Sequence, residues 1–221
     1  MDSAPLLERD LAASAGLGWI GRNGDVIVPG IGGRVLLAEI VTDAELPPDD
    51  PMAPRCGACR RCVEACPAGA IGPDGLVDSR RCVSYLTIEH RGPIPAGLRE
   101  ACGDRLFGCD ACLAACPHNA GDTSGEPELA TPRPLAAVTA AEVLEWTAAD
   151  WDRLTRGSAG RRAKPAQWLR NAAIAAGNAR LRATRPALER LAASDDPAVA
   201  DAAGWALARL EEEVPAAGGG R

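Results

Sequence analysis

All nine cysteines of this 221-residue chain fall between Cys56 and Cys116, and their spacing is that of residues set to do redox chemistry. In Cys56-Gly-Ala-Cys59-Arg-Arg-Cys62-Val-Glu-Ala-Cys66-Pro67, three thiols are separated by two residues each and a fourth follows after three more, closed by proline. A tight loop of this kind aims three thiolates at one cubane iron-sulfur cluster, while the fourth cysteine reaches a second cluster. A shorter copy stands at Cys109-Asp-Ala-Cys112-Leu-Ala-Ala-Cys116-Pro117. By the same rule Cys56, Cys59 and Cys62 take Cys116 as their fourth ligand. The second set, Cys66, Cys109 and Cys112, lacks one thiolate, and Cys82 in Asp78-Ser-Arg-Arg-Cys82 lies between the motifs to supply it. Eight thiolates then hold two 4Fe-4S clusters.

Structural zinc sites use two short Cys or His pairs around one ion, which four cysteines within eleven residues and a Cys-Pro ending fit badly. A disulfide framework fits worse, because no signal peptide precedes the motifs. Cys102 is left over and reads as a small buried hydrophobe.

The rest of the chain must position these thiols. Only one Tyr, one Phe and five Trp are present, so the core rests on Ala, Leu, Val and Ile. No apolar run approaches the ~20 residues of a spanning helix, which places the chain in the cytoplasm with no membrane partner. The formal charge of -6 argues against uniform nucleic-acid affinity. Yet from Arg153 to Arg185 there are nine Lys or Arg and no Asp or Glu, a local basic face.

Residues 1–15 read as a helix capped by Asp2 or Ser3, with Pro5 in its first turn and Leu6, Leu7 and Leu11 on one face. Gly16-Leu-Gly-Trp-Ile-Gly-Arg-Asn-Gly24 breaks it, where backbone must turn or approach something closely. Val26–Val28 and Arg34–Val41, split by Pro29 to Gly33, read as the two strands of a hairpin. Residues 46–120 form a bacterial ferredoxin-like double-cluster domain, with a helix starting near Asp78 that carries Cys82. His90 reads as a surface or hydrogen-bonding residue. Residues 121–134 are a polar linker. Helical patterns at 140–146, 165–177, 186–193 and 197–210 form a HEAT-like array over 135–214, and 215–221 is a disordered tail. The fold class is α+β.

Several of these motifs together resemble the epoxyqueuosine reductase family, the cobalamin-dependent double-cluster enzymes that complete queuosine at the wobble position of certain tRNAs. They are Asp2 to Arg9, Gly16 to Asn23, the cysteine motifs, Ser84-Tyr-Leu-Thr-Ile-Glu89, Gly92-Pro-Ile-Pro95, Phe107-Gly-Cys-Asp110, Arg161-Arg-Ala-Lys164 and Leu169 to Asn178. The resemblance implies that Asp2 is the catalytic acid that protonates the departing epoxide oxygen and lies at the cobalamin. It implies corrin contacts from Arg22, Asn23, Val26, Ser84, Cys109 and Asp110, and substrate contacts from Glu89 and Arg91. Arg156, Ser158, Arg161, Arg162, Lys164, Arg170 and Asn171 match the face that grips the tRNA anticodon stem-loop. It further implies a monomer supplied by an external electron donor of flavodoxin or ferredoxin type.

Family members carry a substantial N-terminal domain, whereas here Met1 stands immediately before the acid. Residues 1–45 therefore read as the remnant of a cobalamin-binding domain, with the true start expected upstream. The competing reading is a ferredoxin-type electron-transfer protein, or an inactive fragment, with a helical docking domain; a corrinoid dehalogenase has no use for the basic run.

Overall fold

The computed structural model describes residues 6–120 and 133–212. Asp2, residues 121–132 of the expected linker and the expected tail at 215–221 lie outside the described residues. The helices are α1 (Glu8–Ser14), α2 (Arg61–Ala65), α3 (Val83–Ile88), α4 (Ala96–Cys102), α5 (Ala111–Ala114), α6 (Arg133–Ala136), α7 (Ala140–Val143), α8 (Ala148–Thr155), α9 (Pro165–Asn178), α10 (Arg185–Ala192) and α11 (Pro197–Glu211). Two strands, β1 (Trp19–Ile20) and β2 (Val26–Ile27), precede α2. The chain divides into two compact units, Met1–Cys82 with Asp110–Leu129, and Val83–Cys109 with Ala130–Arg221.

In the first unit α1 packs on an antiparallel ribbon that pairs Trp19 with Ile27 and Ile20 with Val26. The glycine segment makes the ribbon's turn, Gly21 N–H donating to Asp25 O at 2.8 Å. This corrects two expectations. The hairpin uses Trp19–Ile20 as the partner of Val26–Ile27, and residues 34–41 form no strand. Their alternation of apolar residues is strand-like, but a strand exists through a ladder partner and burial on one face. Here Leu36, Ile40 and Val41 are 80%, 91% and 95% exposed. The helix expected from residue 1 is described only from Glu8, with Leu7 at its N-cap, and Leu6, Leu7 and Leu11 are exposed rather than packed.

The ribbon is tied to the second cysteine motif. The amide of Asn119 accepts from Gly33 N–H at 2.6 Å and donates to Leu113 O at 2.7 Å, and the Trp19 and His118 rings meet edge to face. Gly32 (φ +101°) makes this approach possible, since a Cβ there would lie 2.0 Å from Asn119 Oδ1.

The second unit is built around α9, which packs on α3, α4, α7 and α11. A helix apolar nearly all round belongs in a core, and Trp168 and Ala172 through Ala176 are all buried. Small residues let α11 come close: a Cβ on Gly177 would sit 2.9 Å from Ala206 Cα. The helix starts are written in the sequence. Thr139 and Thr147 form capping boxes with Glu142 and Asp150, and Asp196 accepts from the Ala198 and Val199 amides ahead of Pro197 at N1.

Candidate iron-sulfur site

The loop from Cys56 to Cys66 is compact. Cys59 N–H donates to Cys56 O at 3.0 Å, and the Arg60 carbonyl accepts from Val63 and Glu64 to start α2. Proline pushes the residue before it out of the helical region. Cys66 (φ −71°, ψ 111°) and Cys116 (φ −74°, ψ 124°) are both extended in this way, so each Cys-Pro pair ends a short helix and re-aims its thiol. Both helices stop ahead of the Cys-Pro pair, and a single 3-10 turn, Pro117–Asn119, follows the second.

Cys56, Cys59, Cys62 and Cys116 line one cavity together with Arg22, Asn23, Ile27, Pro117 and His118. Burial pushes the Cys62 thiol up, backbone amides oppose it, and the neighbouring Cys56 and Cys116 sulfurs add to the rise. Four thiols around one cavity are a donor set suited to a cubane cluster. Among the described residues, no group of three or more His, Cys, Asp or Glu could hold a single metal ion.

Of the second set, Cys66, Cys82 and Cys112 belong to the first unit and Cys109 to the second, each half-buried. Ala70 N–H donates to Cys66 Sγ at 3.2 Å. Cys82 sits in the turn leading into α3, its N–H on Asp78 O at 3.1 Å; the expected helix from Asp78 begins one residue past the cysteine. Cys102 is buried at 2% exposure as expected, and burial pushes its thiol up to about 11.

The residues assigned to the corrin divide. Arg22 spans the cluster loop, donating to Cys59 O, Gly57 O and Pro73 O at 3.1–3.2 Å. Asn23 is buried and donates to Asp25, whose carboxyl is raised by burial, against the pull of Arg9 and with a push from Asp110. Val26 is buried in the ribbon. Asp110 is exposed at the N-cap of α5, and Ser84 lies half-buried on α3 in the other unit. His118, Asn119 and the clamp made by Arg22 carry no local sequence signal, because their partners are distant in the chain.

In the second unit the basic run is partly neutralised. Arg156 and Arg161 both pair with Asp152, Arg153 with Asp150, and Arg162 with Glu89. Arg161 also lies over the Trp151 ring at 4.9 Å, Lys164 stands beside the same ring, and Ser158 Oγ donates to Thr155 O. Arg91 is exposed. Two expected RNA contacts are corrected. Arg170 and Asn171 are 0% and 2% exposed and cannot grip a phosphate from there. Arg170 donates to the carbonyls of Leu86, His90 and Gly92, and Asn171 to those of Thr87 and Leu106. With Gln167 on Ile88 and His90, and Asn178 on Arg99 and Gly103, they make a polar edge along α9 at helical spacing.

Comparison with known proteins follows the same line. Residues 55–119 match the family model of a 4Fe-4S double cluster binding domain. The epoxyqueuosine reductase of Xanthomonas campestris is 43% identical over 211 residues, covering 95% of this chain and 59% of that protein. That of Escherichia coli K12 is 40% identical over 213 residues, covering 96% and 56%. Among solved structures, Bacillus subtilis epoxyqueuosine reductase superposes with a TM-score of 0.86 at 31% identity, over 93% of this chain and 55% of that one. An epoxyqueuosine reductase bound to an epoxyqueuosine-modified tRNA-Tyr stem loop gives 0.88, also at 31% identity, over 96% and 56%. The chain thus spans a little over half the length of the relatives it matches, and its similarity to these epoxyqueuosine reductases runs along nearly all of its own length.

Proposed function

We propose that this chain takes part in the reduction of epoxyqueuosine to queuosine at the wobble position of tRNA. The observation that carries the reading is the cavity onto which Cys56, Cys59, Cys62 and Cys116 converge, walled by Arg22 and Asn23 of the glycine segment. The relatives' shared activity and the double-cluster family match support it. The second ligand set, Cys66, Cys82, Cys109 and Cys112, rests on the spacing argument.

Turning an epoxide into an alkene takes two electrons and two protons as the oxygen leaves as water. Bound clusters and cobalamin would supply those electrons, the cofactor doing the difficult step and the protein positioning it. The chain's own part is to hold and orient. Residues 1–45 would belong to the cobalamin side, with Asp2 delivering a proton to the departing oxygen and Arg22, Asn23, Val26, Ser84, Cys109 and Asp110 near the corrin. Arg22 would also hold the loop of the first cluster by its carbonyls. Residues 46–120 would carry the clusters. Residues 135–214, read as HEAT-like helix pairs such as α10 and α11, would take the anticodon stem-loop through Arg156, Ser158, Arg161, Arg162 and Lys164, with Glu89 and Arg91 at the substrate nucleotide. Phosphate contacts of this kind give register and a steep salt dependence. The working form would be a cytoplasmic monomer fed by an external electron carrier. The relative with a bound stem loop supports the RNA assignment.

The test is direct. Anaerobically reconstituted protein with cobalamin, a low-potential reductant and epoxyqueuosine-bearing tRNA should yield queuosine on nucleoside mass analysis, and Asp2→Asn should stop turnover with iron content intact. Full turnover in Asp2→Asn would remove Asp2 from the mechanism, and no product from the wild type would sink the function.

A further inference from the structure

Arginines surround the loop that carries the first ligand set. Arg55 precedes Cys56, Arg60 and Arg61 stand between Cys59 and Cys62, and Arg22 reaches the same loop through the carbonyls of Gly57 and Cys59. Arg55, Arg60 and Arg61 are exposed. Glu64 is the one carboxylate from Arg55 to Cys66. The side chains of Arg60 and Arg61 meet no hydrogen-bond or ion-pair partner among the described residues. The basic run of the second unit differs, with Arg153, Arg156, Arg161 and Arg162 each meeting a carboxylate. Packing does not require these bare guanidinium groups beside a redox ligand loop. They give it a local positive potential in an otherwise acidic chain, and such patches steer charged partners.

We propose that this arginine-rimmed loop is the landing surface for an acidic one-electron carrier protein, which reduces the cluster held by Cys56, Cys59, Cys62 and Cys116. The inference rests on the proposed function only in requiring that the loop hold a redox cluster. Each encounter oxidises the carrier by one electron and reduces the cluster by one, with no bond made or broken. Two encounters supply the pair that the epoxide consumes. A protein fits better than RNA, because readers of unpaired RNA stack bases on aromatic rings. Among the described residues of the first unit the only Trp, Tyr or Phe is Trp19, and it is buried. The residues at the crest of the loop are Gly57 and Ala58, flat enough for a close protein contact.

The experiment uses anaerobically reconstituted protein and an acidic flavodoxin as probe. Binding of oxidised flavodoxin is read from its flavin fluorescence, and electron transfer from reduced flavodoxin by stopped flow, beside reduction by dithionite. In the wild type both binding and transfer should fall steeply with salt. The double reversal Arg60→Glu with Arg61→Glu should weaken binding and slow transfer roughly ten-fold or more at low salt, with dithionite reduction and iron content unchanged. The reversal Arg185→Glu, in the second unit, should leave the flavodoxin rate alone. Unchanged flavodoxin binding in the double variant overturns the proposal. So does equal slowing with dithionite, which would make the arginines tuners of the cluster, and so does loss of stem-loop RNA affinity with flavodoxin binding intact. Flavodoxin-dependent cluster reduction without any queuosine formed would leave this surface standing and remove the function above.

Discussion

Arg170 and His90 lie 80 residues apart in sequence, and Nη1 of the arginine donates to the carbonyl oxygen of the histidine at 2.6 Å. The same guanidinium reaches Gly92 O at 2.7 Å and Leu86 O at 2.6 Å. One buried cation therefore closes the open carbonyls at the end of α3 and in the turn that follows. Burial pulls its pKa down to about 10, which leaves it charged at neutral pH.

Arg170→Lys should destabilise the second unit by roughly 2–4 kcal/mol, since an ammonium cannot span a fork of three carbonyls and the orphaned acceptors stay buried. Urea unfolding followed by helical signal measures this. A residue that held RNA phosphate would instead tolerate Lys with stability unchanged.

The proposed ligand sets predict iron counts. Cys116→Ser should cost the first cluster and leave about four irons of the eight that two 4Fe-4S clusters hold. Cys102→Ala should keep all of them, because that thiol is buried and donates to Leu98 O. Iron and sulfide analysis of reconstituted protein decides both.

Arg22→Ala removes donors from the carbonyls of Cys59, Gly57 and Pro73. At about 1–3 kcal/mol for such losses, the first cluster should be lost to a chelator on the order of ten-fold faster. Thermal unfolding of the helical unit should not move. Equal chelation rates in the two proteins would show that the clamp is idle.

Asp152 neutralises Arg156 and Arg161 from the residue just before the acid-free run. If the run binds the stem-loop, Asp152→Asn should free two guanidinium groups, tighten RNA binding about two- to five-fold at low salt and steepen its salt dependence. Fluorescence anisotropy across a salt series reads both.

Acid should unfold the helical unit in a defined window. Hydrogen bonds from the Thr147 side chain and backbone, with help from Arg153, hold Asp150 down to about 2; Asp152 is lowered by Arg161 and Arg156, and Glu142 by Thr139. A lowered carboxylate lends stability above its unfolded value, about 3.9 for Asp and 4.3 for Glu, and withdraws it as pH falls through the folded one. Stability should therefore decline between about pH 4.5 and 2, and Thr147→Ala with Asp150→Asn should flatten the lower part of that decline in a pH series of thermal melts.

What the sequence showed clearly was whatever is local. The apolar periods of α9 and α11 act within a few residues, and each helix appears where its pattern lies. Residues 34–41 misled because alternation describes a strand only when a neighbour is there to pair with it. Arg170 and Asn171 were placed on the RNA face by the family resemblance alone, and nothing local in the sequence marks the carbonyls on α3 and the following turn that draw the Arg170 side chain inward. Arg22, His118 and Asn119 act on groups many residues away, so no window of sequence contains both partners.

The stretch from Arg34 to Pro54 contains no helix or strand, yet both its ends are moored: Asn119 grips Gly33, and Arg55 lies over Trp19. Such a tether can gain or lose residues at little entropic cost while its moorings hold. Length variation in this protein should therefore gather in that span, and a foreign peptide spliced into its middle should leave the cavity lined by Cys56, Cys59, Cys62 and Cys116 undisturbed.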